Sequence, residues 1–253
     1  MNHYKILMFI LSLANVKNVV SFINFKTSKT PIEFPYDTIE MSPYHPKIHG
    51  YSNIGFWGDI HAQGVPFATK VIDYVAYDNR DVRKEIAETL FEKVGDAELS
   101  VLDVGCSTGM FTECLWNAGF KKVAGLDASP NMLKHGGNRL PKEIDLYLGN
   151  AGLELPDADI YVCSFIFHEL PKIAREAILK NVCDKLNENE NENAMLLVVD
   201  IHQTYIPKEV MLSGEPFCLD YIKHFPDEIN EVGLNIDKVT WIENHVQTWW
   251  CTK

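Results

Sequence analysis

The chain runs to 253 residues, 46% hydrophobic and 23% charged, the make-up of a globular protein with a substantial core rather than of a disordered or fibrous chain. Its formal net charge of −12, with no basic patch or stripe, opposes nucleic acid and anionic membrane as partners and favours a small-molecule substrate. Six cysteines, none in a C-x-x-C pair, supply neither a zinc pattern nor a disulfide framework, and no metal is expected.

Residues 6–13 are strongly apolar, with Lys5 before them and Lys17 after. The run is too short to cross a bilayer and no other stretch is long enough, so no stable membrane insertion is expected. It reads either as the apolar region of a targeting signal, with residues 1–21 as the segment, or as a hydrophobic N-terminal element. Localisation is accordingly open between the cytoplasm and an organelle or secretory route. Residues 22–98 read as an N-terminal cap of loops and helices. Pro31, Pro35, Pro43 and Pro46 argue against long regular elements in its first part. Residues 51–59 combine glycine with aromatics and read as a loop. There Tyr51, Phe56 and Trp57 either line a substrate pocket or plug the domain edge. A helix is expected over residues 66–77, burying Phe67, Val71, Ile72 and Val75. A second follows over 82–94, capped by Asp81, closed by Gly95 and burying Ile86, Ala87, Leu90 and Phe91.

Leu99, Val101, Leu102 and Val104 form a short β-branched-rich run, as a buried strand requires. It breaks at Gly105 and Gly109, and a helix over 109–118 follows, with Phe111, Cys114 and Leu115 on its buried stripe. Strand, tight turn and helix N-terminus together lay out a close-fitting ligand site. The spacing is D-x-G-x-x-x-G rather than the G-x-G-x-x-G of nicotinamide enzymes. A carboxylate at Asp103 repels a diphosphate and suits a ligand with a cationic part. A second strand over 122–126 ends at Asp127, placed to take ribose hydroxyls, and Ser129 and Pro130 then cap the next helix. Strands are expected over 144–148 and 159–165, the first leading into Asn150 and Ala151. A helix over 171–186 should bury Ile173, Ala177, Ile178 and Val182, and residues 187–193 read as a solvated loop. A fifth strand spans 194–201, residues 203–219 read as a lid-like insertion, and a helix over 219–231 precedes a closing hairpin over 235–242 and 246–251.

The run from Val101 to Gly109 resembles the first motif of the class I S-adenosylmethionine-dependent methyltransferases, and Asp127-Ala128-Ser129-Pro130 looks like their second. The resemblance covers roughly residues 64 to 253 and implies a Rossmann-like seven-stranded mixed β-sheet sandwiched by helices, with residues 99–253 as the cofactor-binding core. It implies that Asp103, Gly105, Cys106 and Gly109 hold the methionine end of S-adenosylmethionine, Asp127 and Ala128 the ribose, and Asn150 and Ala151 the adenine, with Phe165 against the donor. His168 would face the acceptor, as a general base or as an orienting group, the alternative being a helix-capping role. Asp200 would touch substrate, orient the histidine or serve structurally, while Tyr205 and Phe217 would complete the acceptor pocket. The expected reaction is methyl transfer to a small O-, N- or S-nucleophile by a monomer or homodimer. The alternatives are a non-catalytic S-adenosylmethionine-binding protein and a nucleic-acid or protein methyltransferase; net acidity and the lack of N-P-P-Y or D-P-P-Y oppose a nucleic-acid acceptor.

Overall fold

The structure is a computed structural model that describes residues 26–27 and 55–253. The expected targeting segment and Tyr51 lie outside the described residues. In chain order the elements are β1 (Lys26–Thr27), α1 (Gly55–Ala76), α2 (Val82–Val94), β2 (Ser100–Val104), α3 (Met110–Ala118), β3 (Lys122–Asp127), α4 (Pro130–Arg139), β4 (Asp145–Leu148) and β5 (Ile160–Ser164). A 3-10 turn at Phe167–Glu169 follows, then α5 (Lys172–Glu188), β6 (Met195–Ile201), α6 (Glu209–Gly214), α7 (Cys218–Asn230), β7 (Asn235–Ile242) and β8 (Val246–Thr252).

The strands form one sheet in the order β1-β4-β3-β2-β5-β6-β8-β7. All neighbours pair in parallel except β8, which runs antiparallel to both β6 and β7. The expected seven strands are thus β2 to β8, and the two-residue β1 extends the edge beyond β4. Connections run one way from β2 through β3 to β4 and the other way from β5 to β6. The topology therefore switches between β2 and β5, where the loops leaving the strand ends part and open a crevice.

Alternation along the strands feeds two cores. Leu102, Val104, Tyr161, Cys163, Leu196, Val198 and Trp249 pack with α5 and α7. Val101, Val123, Ile160, Val162, Leu197 and Trp250 pack on the other face with Ile86 and Leu90 of α2 and Phe111 and Leu115 of α3. Local signals set the helix ends. Asp81 accepts from the Lys84 N–H at 3.1 Å, Gly95 closes α2 at φ +70°, and Ser129 accepts from the Met132 N–H with Pro130 beside it in the first turn. All six cysteines are free. Among the described residues no helix is long and apolar enough to cross a membrane.

Three expectations fail, each through a long-range contact. Helix α1 begins at Gly55, so from there the expected 51–59 loop is helical, and Pro66 sits inside the helix rather than at its start. Gly58, Ala62 and Thr69 form its buried stripe, and Asp59 accepts from Lys134 and meets His135 of α4, each at 2.9 Å. Docking on small residues turns the large apolar face outward, and Phe67, Val71, Ile72 and Val75 are all exposed. In α5, Ile173 is exposed and Ala177 half-buried, because Arg175 takes the inward position. The guanidinium is fully buried and donates to Glu228, Asp220 and the Leu170 carbonyl at 2.6–2.7 Å. The 187–193 stretch is tied down rather than merely solvated, since the Asn189 and Asn191 side-chain amides both donate to Asp159.

Removing the Arg175 guanidinium leaves Glu228 buried without its counter-charge. Arg175→Ala should cost about 3–5 kcal/mol in urea denaturation, and a paired Arg175→Met, Glu228→Leu replacement should recover most of it. A loss under about 1 kcal/mol in the single variant would show that the pair contributes little.

Candidate functional site

The site lies where β2, β3, β5 and β6 end. After β2 the chain turns back within five residues, which forces left-handed backbone at Gly105 (φ +74°), Ser107 (φ +52°) and Gly109 (φ +76°). A Cβ on Gly105 would come within 2.2 Å of the Ile166 side chain, so only glycine lets the β2 and β5 loops approach this closely. The Gly105 and Cys106 N–H groups both donate to the Leu126 carbonyl, at 2.7 and 3.0 Å.

Asp127 clamps the turn to the next loop. One carboxylate oxygen accepts from the Ser107 N–H and the other from the Ser129 N–H, both at 2.7 Å. Ala128 lies half-buried between them. Asp103 is buried beneath the turn and accepts from the Thr112 hydroxyl at 2.6 Å. Burial pushes its pKa up to about 7, against the Thr112 hydrogen bond and with help from the Asp127 charge. Thr108 Oγ1 is buried in the same turn with no hydrogen-bond partner. The Cys106 side chain packs with Leu133, Leu140, Ile144 and Leu146, leaving its backbone to the turn.

Beyond β4, the Asn150 side-chain oxygen accepts from the Gly152 N–H at 2.9 Å. Ala151 is buried, and its carbonyl accepts from Asn181. Phe165 has a positive φ of 54° at the end of β5. Its ring stacks on Tyr77 at a centroid distance of 6.5 Å, and the Arg83 guanidinium lies 4.6 Å from its centre. Arg83 and Tyr77 were not expected at the site. Arg83 is an ordinary charged position on α2 by sequence pattern, and only the docking of α2 carries it over Phe165. The same docking leaves a cleft of about 620 Å³ lined by Asp73, Arg83, Met110, Glu113 and Arg139, among others.

After β5, His168 is buried in the 3-10 turn. Its Nδ1 lies 2.5 Å from Asp200, whose carboxylate also accepts from the Phe167, His168 and Ile201 N–H groups. Asp200 has no exposed surface. This corrects the substrate-contact reading of Asp200: it stands behind the histidine and fixes its ring. His168 Nε2 points toward Glu215, 3.4 Å away. Burial opposes charge on the ring, but Asp200 and Glu215 outweigh it and hold its pKa well above the usual histidine range.

The remaining aromatics separate. Phe217 is buried and Tyr205 half-buried, its ring against His245 at 5.9 Å. Phe56 is 68% exposed on the first turn of α1. The Trp57 side chain lies outside what is described.

Comparison with known proteins agrees with this layout. Residues 101–189 match the family described as "Methyltransferase domain". The chain is 27% identical over 175 residues to an uncharacterized methyltransferase of Staphylococcus carnosus, covering 63% of this chain and 82% of the relative. A TehB-like SAM-dependent methyltransferase from Corynebacterium glutamicum superposes with a TM-score of 0.54 at 16% identity, over 76% of this chain and 98% of that one. Human N-acetylserotonin methyltransferase with bound SAM gives 0.58 at 13% identity, over 84% and 60%. The methyltransferase domain of bacterial CtHen1 gives 0.54 at 15%, over 67% and 96%. At these identities the structural matches speak for the fold.

The Asp127 clamp sets a direct test. Asp127→Ala frees two backbone donors and should lower stability by about 2–3 kcal/mol, while Asp127→Asn, which keeps one acceptor oxygen, should lose roughly half as much. Urea denaturation reads both, and equal losses would mean that the carboxylate does not join the two loops.

Proposed function

We propose that this chain is a class I S-adenosylmethionine-dependent methyltransferase and that it methylates a small polar molecule held between Phe165 and His168. The observation that carries the reading is the enclosure of the acceptor end. His168 is buried at the loop after β5, and Glu215, just past α6, stands 3.4 Å from its ring. A buried polar group at this position suits a small acceptor, whereas a macromolecular acceptor needs its reacting groups at an open surface. The net charge of −12 works in the same direction.

The donor side fits S-adenosylmethionine. Two carboxylates, Asp103 and Asp127, border the turn, and the buried, unpartnered Thr108 hydroxyl offers it a free hydrogen-bonding group. When bound, S-adenosylmethionine supplies an already activated methyl on a sulfonium. The glycine turn and Asp103 hold the cationic methionine end, Arg83 balances its carboxylate, Asp127 and Ala128 take the ribose, and Asn150 and Ala151 the adenine. Phe165 lies along the donor. His168, fixed by Asp200 on one side of its ring and facing Glu215 on the other, orients the acceptor.

The test is a screen of small hydroxyl, amine and thiol acceptors, read by S-adenosylhomocysteine release. At least one class should turn over, and His168→Ala should lower that turnover by about 10²-fold with donor affinity unchanged. Methylation of RNA or protein alone would overturn the small-acceptor reading, and unchanged turnover would remove His168 from it.

Asp103 adds a pH signature. Its carboxyl is held near pKa 7 in the folded chain against an ordinary 3.8, so the ligand-free fold loses stability as pH rises from about 4 to about 7. A cationic ligand selects the ionised form. Donor affinity should therefore rise about eightfold between pH 6 and 7.5, with proton release on binding, and Asp103→Asn should flatten the profile. Calorimetry in buffers of different ionisation enthalpy measures it, and a flat profile in the parent protein would show that Asp103 does not meet the cation.

A further inference from the structure

We propose that His168, Glu169 and Glu215 form a binding site for one divalent cation at the acceptor end of the pocket, and that the cation takes a hydroxyl oxygen of the acceptor into its coordination shell. The second part rests on the methyl-transfer reading above; the first does not. One ligand atom from each of the three residues falls within a cluster in which all lie within 4.8 Å of one another. A bound ion would draw these atoms inward to the roughly 2.0–2.2 Å ligand distances of divalent metals.

The histidine is prepared for such a role. Its Nδ1 is engaged by Asp200, which three backbone N–H groups fix in place and bury completely. A carboxylate behind the ring is the usual support of a metal-ligating histidine, since it sets the tautomer and leaves Nε2 as the free donor. That Nε2 faces Glu215 without hydrogen-bond geometry at 3.4 Å, and Glu215 Oε2 is buried with no hydrogen-bond partner. A buried carboxylate oxygen without a donor is costly, and a cation between it and the imidazole satisfies both. Asp200, Glu169 and Glu215 place three carboxylates around the His168 imidazole, with His61 near Glu169 as well.

The ligand set also says what would bind and what it would do. One imidazole and two carboxylates suit Mn²⁺, Mg²⁺ or Zn²⁺ and leave positions open for water or substrate oxygen. His168 and Glu169 come from the turn after β5, while Glu215 comes from the segment between β6 and α7. The cation would tie that segment to the sheet edge and make a coordinated hydroxyl more acidic. A base would then be supplied without requiring the histidine to give up its place on Asp200.

The experiment uses the full chain, stripped with EDTA, and Mn²⁺ as the probe. Titration followed by the electron paramagnetic resonance of free Mn²⁺ should show one tight equivalent. Glu215→Gln and His168→Asn should each weaken it at least tenfold, while S-adenosylmethionine binding by Glu215→Gln confirms that the fold is intact. Glu169→Gln serves as the second carboxylate variant. No tight equivalent, or binding that all three variants leave unchanged, overturns the site. S-Adenosylhomocysteine release separates the two ideas: turnover of small acceptors that persists in EDTA overturns the hydroxyl role while the small-acceptor reading stands. Tight Mn²⁺ binding with methylation of macromolecules alone supports the site and overturns that reading.

Discussion

Where parallel strands end, the loops that leave them carry backbone N–H groups that have lost their ladder partners, and each needs an acceptor. In this protein side-chain carboxylates provide them. Asp127 at the end of β3 gathers the N–H groups of two loops, and Asp200 near the end of β6 gathers three more. The glycine turn after β2 is held by the first and the turn after β5 by the second. Nearly every feature of the site depends on these two side chains, which act on backbone before they act on any ligand.

The arrangement concentrates negative charge at one edge of the sheet. Asp103, Asp127, Glu169, Asp200 and Glu215 all lie there, with His168, Arg83 and Arg139 among the basic groups nearby. Burial makes this costly, and it shows in Asp103, which is driven toward the neutral acid. A pocket of this kind is unfavourable when nothing cationic is bound and favourable when something is. On our two proposals, the same electrostatics that burden the ligand-free protein select for a sulfonium on one side and for a metal ion on the other.

The two sides also differ in rigidity. The glycine turn after β2 is fixed by the Ile166 side chain packed against Gly105 and by the Asp127 clamp. The acceptor side depends on Glu215, which arrives from a segment carrying only the six-residue helix α6.

By itself the sequence determined what depends on neighbours a few residues away. The strands, the caps at Asp81 and Ser129-Pro130, and the glycine turn were all legible, because buried alternation, side-chain capping and positive φ are settled within one or two turns of chain. The family motif was legible for the same reason, since it is one continuous strand-turn-helix. Tertiary structure decided the rest. It turned α1 so that small residues rather than Phe67 and Val75 face inward, drew Arg175 into the core, carried Arg83 over Phe165, and set Asp200 behind His168 rather than against substrate. It also brought Glu215 to His168. Each of these pairs residues distant in sequence whose partners lie on other elements, and periodicity along a single segment carries no information about which charge on another segment will meet it.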